Sequence, residues 1–199
     1  MKTIIVIYLI SYLAGSINFA IIFFKLTGKA DPRLSFSGNA GTTNVYRQAG
    51  YFWATVILLL DIGRALAVAA LALYYIEGRY LPWAGFFLVL GNSFPCFHNF
   101  RGGKGVANLL GFTLYVEPWA AIVAAIMWVV TYGLYRITFV ASFVMVFTLA
   151  LGLAYSNYWG FCAASGAAAT FLLILFNHRK NVIEYWKSDE HITPGNEGN

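Results

Sequence analysis

Three polar stretches interrupt an otherwise apolar sequence, and they hold most of its residues that could do chemistry. They are residues 37–50 (SGNAGTTNVYRQAG), 98–105 (HNFRGGKG) and 177–181 (NHRKN). In the first stretch, Gly38 and Gly41 permit backbone angles that turn successive N–H groups to one side. Such a concave set of donors binds anions, so the first stretch predicts an anion-binding loop.

The second stretch ends in RGGKG, directly before a predicted helix. Free N–H groups around Gly102, Gly103 and Gly105, the positive end of the helix dipole and the Lys104 ammonium would converge on one small volume. Phosphate is the anion that suits this arrangement. The motif is not a Walker loop, because the glycine spacing differs and no Ser or Thr follows the lysine. The alternative is a flexible basic turn that only obeys the positive-inside rule.

The third stretch contains His178, between Asn177 and Arg179 at the end of the last predicted span. The alternative to a functional role is contact with a lipid headgroup. If all three stretches lie on one face of the membrane, however, an assembled site is favoured over three independent features.

The elements that must position these residues are membrane helices. The chain has 199 residues, 60% hydrophobic and 11% charged, with a mean hydropathy of +0.67, which excludes an ordinary soluble domain. The pattern predicts an all-α polytopic membrane helical bundle, in which helices satisfy the backbone polar groups. About seven transmembrane helices are expected, at roughly 3–24, 51–76, 81–97, 105–116, 119–135, 138–155 and 159–176. The fourth, about 18 Å long at ~1.5 Å per residue, would cross only part of the bilayer.

Alternate threading of these spans separates the cations sharply. Apart from Arg64 inside the second span, only Lys2 and Arg79 lie on one side, and the other ten lie on the side of the three polar stretches. The cation-rich side is therefore predicted to be cytoplasmic, with the N-terminus outside and the C-terminus inside. This bias accounts for the pI near 9.2 without a nucleic-acid partner. Residues 1–187 are predicted to form one transmembrane domain, and 188–199 a short disordered cytoplasmic tail.

Polar residues inside the spans have structural interpretations. Asp61 and Arg64, three residues apart in the second span, are expected to form an ion pair, because an unpaired charge there is costly. Gly15 and Asn18 in the first span predict close packing, with Asn18 hydrogen-bonded inside the bundle. The two cysteines, Cys96 and Cys162, have no metal-ligand spacing and predict neither a disulfide nor a zinc site.

The motifs GSINFA, SGNAGTTNVYR, FRGGKGVA and HRKN, in this order, resemble the bacterial membrane glycerol-3-phosphate acyltransferase family (PlsY), which uses acyl phosphate as donor. The resemblance covers nearly the whole chain. It implies seven spans and transfer of a fatty acyl group to the 1-hydroxyl of glycerol 3-phosphate, which gives lysophosphatidic acid and phosphate. It also implies a multi-pass protein of the bacterial inner membrane with a cytoplasmic active site, and neither a cofactor nor a metal. By match to the motifs, the residues around the substrates would be Ser37, Asn39, Thr43, Asn44, Arg47, Lys104, His178 and Asn181.

The chemistry of an acyl phosphate fits these residues. It is a mixed anhydride with a good leaving group, so the enzyme mainly has to hold two anions together and neutralise them. Arg47 suits this as a planar donor and Lys104 as a point charge. The base is left open between His178 and the donor phosphate. A His-x4-Asp motif, which would indicate acyltransferases using coenzyme A thioesters, is missing from the sequence.

Six positions depart from the family pattern. These residues, each followed in parentheses by the one that is usual in the family, are Thr42 (alanine), Arg64 (lysine), Asn92 (histidine), Asn108 (threonine), Lys180 (glutamate) and Glu184 (arginine). Asn92 most affects the assignment, because a polar role there has changed. Lys180 and Glu184, four residues apart on a helical continuation of the last span, are expected to pair with reversed polarity. Two alternatives stay open: a related transferase with another phosphorylated acceptor or acyl donor, and a non-catalytic protein that binds or transports lipid phosphates.

Overall fold

The computed structural model describes residues 1–156 and 160–190, and within these ranges the chain forms nine α-helices and no strand. The predicted all-α class is therefore confirmed. The helices are α1 (Lys2–Ser16), α2 (Phe19–Leu26), α3 (Thr42–Tyr75), α4 (Leu81–Ser93), α5 (Val106–Val116), α6 (Pro118–Tyr135), α7 (Thr138–Tyr155), α8 (Phe161–Asn177) and α9 (Arg179–Glu190). Short 3₁₀ turns at Pro32–Leu34 and Gly78–Tyr80 precede α3 and α4.

Four stretches of the described chain are long and apolar enough to cross a bilayer. They are Lys2–Leu26, which includes both α1 and α2, and then α3, α6 and α7. A fifth is obtained if α8 and α9, which meet at a bend of 43°, are counted together. Helices α4 and α5 have 13 and 11 residues, fewer than the roughly 20 that a span needs. The count of seven spans and the orientation of the termini therefore stay predictions.

Three boundaries differ from the predicted ones for local reasons. The first span is broken, because the backbone of Ile17 and Asn18 is extended and the Asn18 side chain caps α2 by accepting from Ile21 N at 3.0 Å. Helix α4 ends at Ser93 instead of residue 97, because Pro95 follows and has no N–H to donate.

The third difference concerns the first polar stretch. Helix α3 begins at Thr42 and runs through a kink at Gly50, whose φ of 85° and ψ of 177° change the direction of the chain. The expectation that 37–50 is entirely a loop is therefore wrong for residues 42–49, which are helical. The left-handed φ at Gly50 separates this short N-terminal segment from the apolar part of the helix.

Close contact between α1 and α4 fixes the centre of the bundle. A Cβ on Gly15 would overlap the carbonyl of Leu88, and one on Gly91 would overlap the carbonyl of Tyr12. The Tyr12 hydroxyl also donates to Phe94 O at 2.9 Å. The close packing predicted from Gly15 is confirmed, and it holds the C-terminal end of α4 in a fixed position. That end leads into the second polar stretch.

Candidate active site

The polar stretches meet around a cavity of about 380 Å³ that extends between α3, α5, α6 and α7. Its polar end is lined by Ser37, Asn39, Gly41, Thr43, Asn44, Arg47, Gly103, Lys104, Gly105, His178 and Asn181. These are the predicted site residues, apart from Gly38 and Gly102, which do not line the cavity. Both of those glycines lie one residue away from lining residues and shape the loops.

The loop before α3 is held in shape by Asn44. Its Nδ2 donates to the carbonyls of Pro32 at 2.6 Å, Asn39 at 2.8 Å and Ser35 at 3.2 Å. Gly38 has the expected positive φ of 63°, whereas Gly41 is extended and serves as the N-cap of α3. The predicted concave turn is therefore only partly present. The N-terminus of a helix replaces the rest of it, and such an end is also an anion-binding element.

The loop before α5 requires its glycines. Gly105, the N-cap of α5, has φ 88°, and a Cβ there would approach Val89 Cγ1 to 2.5 Å. A Cβ on Gly103 would lie 2.7 Å from Asn92 Nδ2. Larger residues would therefore push the loop away from α4 and move Lys104 with it.

The two loops are tied to each other as well as to the helices. Ala40 N donates to Gly102 O at 3.3 Å. Away from the cavity, Arg33 Nη1 donates to the carbonyls of His98 and Arg101, each at 2.8 Å. Asp31 forms an ion pair with the Arg33 guanidinium. The convergence of the first two polar stretches is thus a direct backbone contact.

Lys104 and Arg47 give the polar end its positive charge. Lys104 Nζ donates to Asn181 Oδ1. Burial, together with repulsion from Arg47, lowers the pKa of Lys104 to about 8, and Glu184 opposes the shift. In the described part of the chain, ion pairs form at Arg33, Arg64 and Arg79 but not at these two cations. Two cations without a carboxylate partner at one cavity end are suited to an anionic ligand.

His178 is 3% exposed, so a lipid headgroup contact is not its environment. Its Nδ1 lies 2.8 Å from Ile174 O, which must accept, so Nδ1 carries the hydrogen and Nε2 is left as an acceptor. Phe143 packs against the ring edge-on with centroids 5.3 Å apart. The neighbouring Asn177 donates to Ser93 Oγ at 2.8 Å and to Lys104 O at 3.3 Å. The third stretch is thereby joined to the second.

The other end of the cavity is apolar. It is lined by Leu58, Val106, Leu110, Ala125, Trp128, Val129, Phe139 and Met145. Sequence patterns did not predict these residues, because cavity-facing and lipid-facing positions of membrane helices hold the same types of apolar residue. Trp128 donates to Ser142 Oγ at 3.4 Å and so connects α6 with α7 beside this end.

The further polar residues that line the cavity include Asp61, Asn92 and Asn108. The predicted pair of Asp61 with Arg64 is confirmed at 2.9 Å. Asn92 and Asn108, which were noted only as departures from the family pattern, both accept from the same Arg64 side chain. Their polarity inside apolar helices was the signal that could have placed them in the site.

Residues 180 and 184 correct one expectation. They lie on α9, so the helical continuation is confirmed, but Lys180 and Glu184 are both exposed and do not form an ion pair in the described chain. Glu184 instead acts electrostatically on Lys104.

Helix α9 continues to Glu190, three residues into the predicted tail, and residues 191–199 lie outside the described chain. Within the described residues, no group of three His, Cys, Asp or Glu could hold a metal ion.

Fold and site together define a polytopic membrane protein whose cavity joins a cationic end to an apolar end. Among known proteins this chain belongs to the glycerol-3-phosphate acyltransferase family, whose model matches residues 5–188. A glycerol-3-phosphate acyltransferase of Pseudomonas fluorescens is 39% identical over 90% of this chain and 94% of the relative. One of Coxiella burnetii is 39% identical over 70% of this chain and 73% of the relative. The predicted family and the acyltransferase class are confirmed.

Solved structures agree with this assignment. The crystal structure of PlsY, an integral membrane glycerol 3-phosphate acyltransferase, in its glycerol 3-phosphate form matches with a TM-score of 0.85 and 29% identity. Its lysophosphatidic acid form matches with a TM-score of 0.82 and 28% identity. Each comparison covers 93% of this chain and 92% of that chain. The likeness therefore extends over the whole helical bundle.

Proposed function

We propose that the protein transfers a fatty acyl group from an acyl phosphate to the 1-hydroxyl of glycerol 3-phosphate, giving lysophosphatidic acid and inorganic phosphate. The observation that carries the proposal is the pair of cations, Lys104 and Arg47, without a carboxylate partner in the described chain, at the polar end of a cavity that also has an extended apolar lining. Two phosphates and one alkyl chain are the groups that these two ends would receive. The names of the related enzymes support the acceptor.

Lys104 and Arg47 hold the phosphates of donor and acceptor and neutralise the charge that builds up on the leaving phosphate. Charge-assisted hydrogen bonds of this kind are shorter and about twice as strong as neutral ones. Asn181 accepts from Lys104 and thereby aims its ammonium into the cavity. Ser37, Asn39 and Thr43 supply hydroxyl and amide groups that orient the phosphates or the acyl carbonyl.

The acyl chain of the donor lies in the apolar end of the cavity. Moving the acyl chain from lipid into the cavity changes its apolar surroundings little, so the cavity contributes to the orientation of the donor more than to its affinity. Orientation is valuable here, because holding two reactants in the right geometry can lower a barrier by several kcal/mol, up to ~7–11 kcal/mol in favourable cases.

In the transfer step, the 1-hydroxyl oxygen attacks the carbonyl carbon and the bond to phosphate breaks. His178 accepts the hydroxyl hydrogen at Nε2, which the Nδ1 hydrogen bond leaves free. The bound phosphate is the alternative acceptor. The leaving group departs as inorganic phosphate beside Lys104 and Arg47.

The reaction takes place on the cytoplasmic face of the bacterial inner membrane. The uneven distribution of Lys and Arg supports this side, and glycerol 3-phosphate, a charged solute, would reach the polar end from water. Acyl phosphate would reach the apolar end from the bilayer.

The test is phosphate release from palmitoyl phosphate by the purified protein in detergent micelles, with and without glycerol 3-phosphate. We expect release that depends on glycerol 3-phosphate, with equal formation of lysophosphatidic acid. Release at the same rate without the acceptor would indicate a phosphatase and overturn the proposal. Transfer to another phosphorylated acceptor in its place would favour a related transferase.

A further inference from the structure

Arg64 on α3, next to the cavity, is the side chain with the most hydrogen-bond partners in the described bundle. Its side chain is only 7% exposed, and its guanidinium donates to Asp61 Oδ1 at 2.9 Å, Asn108 Oδ1 at 2.6 Å and Asn92 Oδ1 at 3.4 Å. It also donates to Ile17 O, where the chain breaks between α1 and α2. One cation therefore joins α3, α4, α5 and the break in the first span.

Two of these contacts continue to the anion-binding loops. On one side, Asn92 O accepts from Gly103 N at 2.9 Å, and Ser93 O accepts from Gly102 N at 3.1 Å. The α4 end that Arg64 contacts is thus the support of the loop that carries Lys104.

On the other side, Asn18 follows Ile17 and donates from Nδ2 to Ala40 O at 3.3 Å. Ala40 N in turn donates to Gly102 O at 3.3 Å. The contacts form a closed ring: from Arg64 through the α1–α2 break to the first loop, across to the second loop, and back through Asn92 to Arg64. A change at any member alters the distance between the two loops.

We propose that Arg64 is a positioning residue that sets the spacing of the two anion-binding loops and so places Lys104 against the first loop. Asp61 balances its charge, which makes a buried guanidinium tolerable inside the bundle. The planar fork of arginine can donate to several elements at once, whereas a lysine ammonium on the same backbone reaches fewer of them. The idea deepens the proposed function, since it concerns the same phosphate-binding site.

The competing explanation is that Arg64 acts only as a structural brace, which stabilises the bundle without affecting the site. Phosphate binding distinguishes this explanation from the positioning role. We would measure the Kd of inorganic phosphate by calorimetry on the purified full chain, together with Tm, because this binding does not require turnover. Arg64→Lys restores the residue that is usual in the family, but not the histidine and threonine that usually stand at positions 92 and 108. In this chain the lysine keeps the cation beside Asp61 but loses reach to Asn92 and Asn108 on the other helices. We expect its phosphate Kd to rise at least about tenfold, with a matching fall in kcat/KM. Failure of the proposed acyl transfer would leave this binding measurement valid.

The matched control is Arg79→Lys, because Arg79 also pairs with a carboxylate, Glu77 at 2.8 Å, and lies over the Tyr80 ring at 4.9 Å. This pair is exposed and outside the cavity, so its phosphate Kd should equal that of the parent. If Arg64→Lys behaves like Arg79→Lys in phosphate binding, whatever its Tm, Arg64 is only a brace and the proposal is wrong.

A second variant breaks the ring without touching Arg64. Asn18→Ser keeps an N-cap acceptor for α2 but removes the amide that reaches Ala40 O. The ring predicts weaker phosphate binding for this variant too, so the inference can be tested even if Arg64→Lys does not fold. An unchanged phosphate Kd in folded Asn18→Ser would overturn it.

Discussion

At the residue scale, the site depends on cations that the fold leaves without carboxylate partners. The structure pairs Arg33, Arg64 and Arg79 with a nearby acid. At Lys104 the partner is a neutral amide from Asn181, which aims the ammonium without neutralising it. Under the proposed function, a ligand phosphate supplies the missing negative charge. The absence of a carboxylate beside Lys104 and Arg47 in the described chain leads to two predictions.

The first prediction is that Lys104→Ala and Arg47→Ala each lower kcat/KM for acyl transfer by at least roughly ten- to a hundred-fold. Each change removes a charge-assisted hydrogen bond, worth ~1.5–3 kcal/mol, and 1.4 kcal/mol corresponds to a factor of ten. The measurement is phosphate release with both substrates varied. Arg101→Ala is the matched control, because Arg101 lies exposed in the same loop but does not line the cavity. Equal effects at all three positions would contradict the site.

The second prediction concerns pH. Burial, with repulsion from Arg47, lowers the pKa of Lys104 to about 8, and the charged form is the one that binds phosphate. In the free enzyme kcat/KM should therefore be highest below this pKa and fall as the pH rises through about 8, earlier than an ordinary lysine, with its pKa of about 10.4, would allow. Lys104→Arg stays charged and should lose this alkaline decrease, even if its activity is lower. A decrease at the same pH in Lys104→Arg would assign the titration to another group.

At the element scale, short and broken helices do the positioning. The kink at Gly50 and the early end of α4 each bring a polar segment to the cavity, and the break at Ile17 lets Asn18 donate to Ala40 O in the first loop. They depend on α1 and α4 lying close together, since the end of α4 holds the Lys104 loop. The packing of these two helices should therefore affect both stability and catalysis.

Gly91→Ala is expected to destabilise the bundle by about 1–3 kcal/mol and to reduce activity beyond that, because its Cβ would overlap the α1 backbone and push α4 away. Gly133→Ala on α6 is the matched control. A Cβ there has no atom within 4 Å, so this change should be neutral or stabilising by up to ~1 kcal/mol. Thermal unfolding in detergent, followed with activity at a temperature where both variants are folded, measures the two effects. Equal Tm values for both variants would show that α1 and α4 are not closely packed.

Sequence patterns predicted those elements whose signals are local. Helix α7 has the predicted bounds, and α5 and α6 start one residue from theirs, because Gly105, Pro118 and the change at Arg136 mark their ends. All but two of the site residues predicted from the glycine loops and the polar stretches line the cavity. Apart from the predicted pair with Asp61, the Arg64 contacts could not be predicted, since they join residues 28 to 47 positions apart across four helices. The apolar lining gave no signal, because its residue types are those of any membrane helix.

At the scale of the whole molecule, the unequal distribution of Lys and Arg predicts which face carries the site. In a variant with Cys96→Ser and Cys162→Ser, Ser35→Cys should react with an impermeant thiol reagent only in inverted vesicles, and Glu77→Cys only in intact cells. Glu77 is exposed in the turn before α4, on the face opposite the polar stretches if the predicted spans are correct. Labelling of Ser35→Cys in intact cells would reverse the orientation and move the site to the outer face.

The hydrogen bond between Lys104 and Asn181 also has a consequence for biosynthesis. Its partners are 77 residues apart, a distance that a ribosome covers in roughly 4–15 s at ~5–20 residues per second. During that interval the nascent chain has both glycine loops and both cations, but neither His178 nor Asn181. A truncated chain that ends before α8 would therefore expose a cationic cavity to lipid phosphates without the groups that aim the ammonium. Under the proposed mechanism, catalytic competence arrives only once His178 and Asn181 have been made, and an unfinished chain is expected not to consume acyl donor.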